Sequence, residues 1–125
     1  MSNLQLKQED IDMILEAKNI LDKEYFRHYT HEDLAQMVGT NQYKLKAGFK
    51  QLTQKTLYEY LTWVRVEKAK YLLEKTDLPL KIIAGKVGLD KSNLNKCFKK
   101  MTRVTPIEWR RENRGNYNLF NNDHE

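Results

Sequence analysis

The chain has 125 residues, with 22 Lys and Arg against 17 Asp and Glu, a net charge of +5 and a pI of about 9.2. That length allows one compact domain or two very small lobes sharing a helix, and 40% hydrophobic residues suffice for a core, although each lobe alone would be marginal. One cysteine excludes an internal disulfide, no apolar run is long enough for a signal peptide or membrane span, and the basic excess suits a polyanion, so a cytoplasmic protein is expected.

Residues 1–7 read as an arm, and residues 8–27 as an amphipathic helix with Ile11, Ile14, Leu15 and Leu21 as its apolar stripe and Lys18 and Tyr25 on the same spacing. Thr30 offers an N-cap oxygen, with Asp33 as its capping partner three residues on. The helix that follows turns Leu34, Ala35 and Val38 inward and ends at Gly39, which can take the left-handed conformation of a tight turn. Asn41 caps the next helix, whose inner positions are Leu45 and Phe49.

From Leu57 to about Lys75 there is neither Gly nor Pro, which predicts one helix of about 18 residues, near 28 Å long. Its expected stripe is Leu57, Leu61, Val64, the stem of Lys68 and Leu72, widened by Ala69 and Leu73. Thr76-Asp77-Leu78-Pro79 breaks it. A second scaffold helix is expected over residues 80–87, a turn at Gly88, and a second outer helix over residues 91–100. Pro106 opens a last short helix holding Ile107 and Trp109, and residues 113–125 read as a flexible tail. No strand pattern appears. The expected fold is all-α, about seven helices: an arm (1–7), a first helix-turn-helix lobe (8–56), a linker helix (57–76), a second lobe (77–112) and the tail.

The two lobes say the same thing. Ala35, Val38, Gly39, Leu45, Phe49, Lys50, Thr53, Thr56 and Glu59 recur 49 positions later as Ala84, Val87, Gly88, Leu94, Phe98, Lys99, Thr102, Thr105 and Glu108. Leu34 with Ile83, Leu52 with Met101 and Tyr60 with Trp109 share that offset. Glycine lets two helices meet steeply, and Ala35 and Ala84 let them approach closely. Anchoring the second helix by its inner face leaves an outer face of Gln42, Tyr43, Lys46, Ala47 and Lys50 in the first repeat. In the second that face is Lys91, Ser92, Asn95, Lys96 and Lys99, with Lys100 and Arg103 nearby. Lysine can bond guanine acceptors or neutralise phosphate, and asparagine can pair with adenine. A joining helix near 28 Å is commensurate with the roughly 34 Å between successive major-groove faces on one side of B-DNA.

These residues resemble the DNA-binding domain of AraC/XylS-type transcriptional regulators over roughly residues 10–110. The matching text is Leu34-Ala35…Gly39…Leu45…Phe49-Lys50, then Glu59-Tyr60-Leu61…Arg65-x-Glu67-Lys68-Ala69-x-x-Leu72-Leu73, then Ile83-Ala84…Val87-Gly88…Phe98-Lys99-Lys100…Val104-Thr105-Pro106…Trp109-Arg110. The resemblance implies a seven-helix, two-lobed bacterial fold that sets both recognition helices in the major groove of promoter DNA. Its base-reading positions fall on Tyr43, Lys46 and Ala47, and around Ser92, Asn95 and Lys96. It further implies RNA polymerase as a partner, binding as a monomer, and oligomerisation through a separate sensing domain. Three departures stand out: Ala47 where such proteins often carry Arg, Leu89 in place of an aromatic, and Gln54 and Arg103 where a glycine often closes each recognition helix.

Blander readings stand beside these. Leu45, Phe49, Leu94, Phe98, Trp63 and Trp109 are expected to be core, and Cys97, which replaces Gly48 in the repeat, a small packing side chain. Tyr43 could equally pack or reach DNA. His28, His31 and His124 lack metal-ligand spacing, and no nucleophile–base constellation or phosphate loop appears, so no cofactor, no metal and no enzyme is expected. The alternative function is a helical interaction module whose basic faces dock an acidic protein.

Overall fold

The computed structural model describes residues 4–122, with side chains from residue 4 to residue 114. They form seven helices, and no strand occurs among the described residues: α1 (Gln8–Lys23), α2 (His31–Val38), α3 (Gln42–Thr53), α4 (Leu57–Lys75), α5 (Leu80–Lys86), α6 (Lys91–Thr102) and α7 (Pro106–Asn122). The chain divides into two compact units, Met1–Val64 and Arg65–Glu125, so α4 belongs partly to each.

In the first unit, the Asp10 carboxylate accepts from Lys7 N–H at 3.0 Å and starts α1. The helix stops four residues short of the expected end, because Glu24 leaves helical geometry and its carbonyl accepts from the Tyr29 hydroxyl at 3.2 Å. Tyr25 thus lies beyond α1, edge-on to Phe26. Ile14, Ala17 and Leu21 form the buried seam, and Leu15, expected on it, is 49% exposed because that spacing turns it outward. Thr30 caps α2 by accepting from Asp33 N–H at 2.9 Å, Gly39 closes it at φ 89°, and Asn41 caps α3 by accepting from Lys44 N–H at 2.8 Å.

The repeat reaches into details that a pattern of apolar residues does not convey. Gln54 and Arg103 adopt the left-handed conformation at φ 67° and 73°, at a cost of order 1 kcal/mol each for side chains with a Cβ. A hydroxyl holds each turn. Thr53 Oγ1 donates to the Phe49 carbonyl at 2.7 Å and accepts from Lys55 N–H at 3.2 Å, and Thr102 repeats this with Phe98 at 2.8 Å and Val104 at 3.3 Å. Reciprocal capping boxes then start α4 and α7. Thr56 and Glu59 exchange bonds of 2.8 and 3.0 Å, and Thr105 and Glu108 bonds of 3.0 and 3.1 Å. Phe49 meets Tyr60 edge-on at 5.6 Å, as Phe98 meets Trp109 at 5.8 Å.

A longer register joins α1 to the second half of α4. Buried Val66, Ala69 and Leu73 lie 52 positions after buried Ile14, Ala17 and Leu21. The repeat is therefore a three-helix unit with a shorter connection in its second copy. Gly48 fits this frame: a Cβ there would sit 2.3 Å from Ile14 Cδ1. In the second copy Val66, which has no δ carbon, stands at the place of Ile14, and the larger Cys97 at that of Gly48.

Two expectations about α4 and the tail change. In α4 the buried residues are Leu57, Tyr60 and Val64, then Arg65, Val66, Ala69 and Leu73, so no single stripe runs its length. Lys68 is exposed, and Trp63, expected in the core, is 39% exposed against the Tyr60 ring. Trp109 is half-buried, its indole N–H donating to Glu74 Oε2 at 2.9 Å under the Lys70 ammonium. The last helix is not short. It runs on to Asn122, where a tail was expected from residue 113, while residues 123–125, with His124, lie outside the described residues. Basic side chains fix its first half. Arg110 donates to the carbonyls of Leu73, Thr76 and Leu78 at 2.8–3.0 Å, and Arg114 to Thr76 and the Asp77 carboxylate. Arg110 thereby satisfies the Leu73 carbonyl, which the end of α4 would leave orphaned, and both residues hold the turn that follows α4.

Two stability predictions follow from this local chemistry. A methyl group built on Gly85, the penultimate residue of α5, meets nothing within 4 Å. Gly85→Ala should therefore stabilise the protein by about 0.5–1 kcal/mol, read as a raised thermal midpoint. The second concerns acid. Backbone N–H donors at Lys7, Thr56 and Thr105 hold the carboxyls of Asp10, Glu59 and Glu108 below their ordinary values. A depressed native-state value adds stability above the unfolded-state value and loses it as pH falls through the native one. Denaturant midpoints should thus drop below about pH 4, and Glu59→Gln with Glu108→Gln should flatten that limb.

Candidate nucleic-acid interface

The candidate faces follow from how α3 and α6 are anchored. Leu45, Gly48 and Phe49 are buried on α3, as Leu94 and Phe98 are on α6. Residues offset from that seam must point away from the core. Gln42, Tyr43, Lys46 and Lys50 are exposed on α3, Tyr43 to 70%, and Ala47 is half-buried between them. On α6, Lys91, Ser92, Lys96 and Lys99 are exposed and Asn95 is half-buried. The structure brings each set onto one outward helix face, and Tyr43 lies largely outside the core. Each second-repeat residue lies 49 positions after its counterpart, so the two units present equivalent faces.

The chemistry of the two faces differs. In the first repeat, Lys50 Nζ donates to the Gln54 carbonyl at 3.3 Å and lies 3.7 Å from Glu59 Oε1, which restrains it. Lys44, absent from the sequence-derived set, reaches back to Asp10 at 3.3 Å and pins α3 to α1. In the second repeat, Asp90 caps α6 by accepting from Asn93 N–H at 2.7 Å and from the Asn93 amide at 3.1 Å. Asn93 is exposed beside Ser92 and belongs to the same turn. The signal for it was present, since Asn41 to Lys44 and Asp90 to Asn93 are the same capping step. Burial pushes the Cys97 thiol up, which disfavours the thiolate and fits a packing side chain. Among the described residues, no group of three His, Cys, Asp or Glu could hold a metal, and no helix is long and apolar enough to cross a membrane.

A protein-family model described as a helix-turn-helix domain matches residues 34–112. The chain is 32% identical over 108 residues to the HTH-type transcriptional activator RhaR of Cronobacter sakazakii, covering 83% of this chain and 36% of that protein. It spans about a third of the length of the curated relatives it matches. Among solved structures, the C-terminal domain of AraT, a response regulator from Geobacillus stearothermophilus, superimposes with a TM-score of 0.77 at 29% identity over 80% of this chain and 84% of that one. The DNA-binding domain of the transcriptional factor AdpA, solved with a target DNA, shares the fold with a TM-score of 0.78 at 22% identity, over 82% of this chain and 94% of that one.

Proposed function

Because the chain belongs to the AraC-type helix-turn-helix family, we propose that it binds double-stranded promoter DNA sequence-specifically in transcription regulation, with α3 and α6 in successive major grooves of one duplex. It is a binding domain and not an enzyme. The observation that carries the reading is the pair of equivalent outward faces, each on a helix held rigidly by its inner seam. Tyr43, Lys46, Ala47, Ser92, Asn95 and Lys96 are the proposed base-reading positions, with Gln42, Lys50, Lys91 and Lys99 beside them. A cytoplasmic location, RNA polymerase as a partner and monomeric binding by this domain belong to the same proposal.

Selection of bound sites from random duplexes with the purified protein, followed by titration at several salt concentrations, tests it. The expected result is an enriched motif bound with steeply salt-dependent affinity. Recovery of no motif, or binding indifferent to sequence, favours an interaction module for an acidic protein and overturns the proposal.

A further inference from the structure

The duplication makes the protein its own control, because equivalent positions can be compared for charge. Residues 1–64 carry eight Lys and Arg against nine Asp and Glu, a net charge of −1, whereas residues 65–125 carry fourteen against eight, a net of +6. The whole positive excess lies in the second unit. Scaffold helices show the reversal most directly. On α2 the exposed positions include Glu32, Asp33 and Met37, and on α5 the equivalent positions are Lys81, Ile82 and Lys86, all exposed.

The state of the cations differs too. In the first unit Lys18, Arg27, Lys44 and Lys50 each lie 2.8–3.7 Å from a carboxylate oxygen. An ammonium already paired must give up that partner to neutralise a phosphate, so it gains less from doing so. In the second unit Lys70 and Arg114 are paired with Glu67 and Asp77, but among the described residues no carboxylate stands at ion-pair distance from Lys81, Lys86, Lys91, Lys96 or Lys100. Lys100 is equivalent to Gln51, whose amide is occupied by the backbone of Leu4, accepting at 2.8 Å and donating at 3.0 Å. The first helix of a helix-turn-helix crosses the DNA backbone, which gives the α5 lysines a phosphate to meet and the α2 carboxylates a phosphate to repel.

We infer that the two repeats contribute unequally to phosphate binding: the second unit, through Lys81 and Lys86 on α5 with Lys91 and Lys100 on α6, is the phosphate anchor in addition to the base-reading positions of α6, and the first unit acts mainly through base contacts, Gln42 and Tyr43 among them. The inference rests on the DNA-binding reading. It is tested on the whole chain with a selected duplex and a scrambled duplex of equal length, each titrated across salt. Lys81→Gln with Lys86→Gln should weaken both duplexes by the same factor and lower the slope of log affinity against log salt by about 2, at roughly 0.9 per phosphate contact. Lys100→Gln should lower it by about 1. Gln42→Ala with Tyr43→Ala should instead shrink the ratio between the two duplexes and leave the slope alone. An unchanged slope in the lysine variants, or a loss confined to the selected duplex, overturns this asymmetry while leaving DNA binding intact. A wild-type chain that binds no duplex at any salt sinks both. All of these side chains are exposed, and circular dichroism checks that the variants stay folded.

Discussion

Lys46→Ala combined with Lys96→Ala is expected to weaken binding to a selected duplex by two to three orders of magnitude without unfolding the protein. Lys46 and Lys96 stand exposed on the outward faces of α3 and α6, one in each unit, so their removal leaves the seams of Leu45, Phe49, Leu94 and Phe98 untouched. A lost base contact costs about 1–3 kcal/mol, and every 1.4 kcal/mol is about tenfold in affinity. The two sites lie on separate units and share no partner, so the losses should add. Fluorescence anisotropy of a labelled duplex reads the affinity, and thermal melting reads the fold. A double variant that binds within about threefold of the parent would remove both helices from the interface.

Phe98→Ala should have the largest effect on stability, about 3–5 kcal/mol. Phe98 is fully buried and meets the Trp109 ring edge-on. Emptying its site leaves a cavity that a small unit cannot refill, and total stabilities of only about 5–15 kcal/mol leave little reserve. Phe49→Ala should behave alike in the first unit, because Phe49 is equally buried and meets Tyr60 in the same way. Urea unfolding of the two variants measures this. A cost below about 1 kcal/mol at either site would mean that the aromatic pair is not the keystone of its unit.

Much of this architecture was legible because its determinants are local. Gly39, Gly88, Asn41 and Thr30 act within a few residues of where they stand, and the 49-residue offset ties together two segments of equal length. The outward faces were legible for the same reason, since fixing Leu45 and Phe49 inward leaves Gln42, Tyr43 and Lys46 nowhere else to go. What escaped depends on partners far along the chain. The kinship of α1 with the second half of α4 is hidden because the connections that follow them differ by three residues, so a search at one offset misses Ile14, Ala17 and Leu21 against Val66, Ala69 and Leu73. Trp63 looks like core by composition, yet α4 serves one unit with its first half and the other with its second, and Trp63 falls on the seam of neither. Residues 113 onward look like a tail by composition. Arg110 and Arg114 instead bind carbonyls more than thirty positions earlier, a pairing no local pattern encodes.

The central claim is that two duplicated helices read neighbouring major-groove faces of one duplex. Protection of guanine N7 from methylation reports major-groove occupancy directly, because N7 lies on that edge of the base. On a selected duplex rich in guanine, the protein should protect two clusters whose centres are about one helical turn, 10–10.5 base pairs, apart. A single protected cluster, or a bound duplex with its guanines fully reactive, would contradict it.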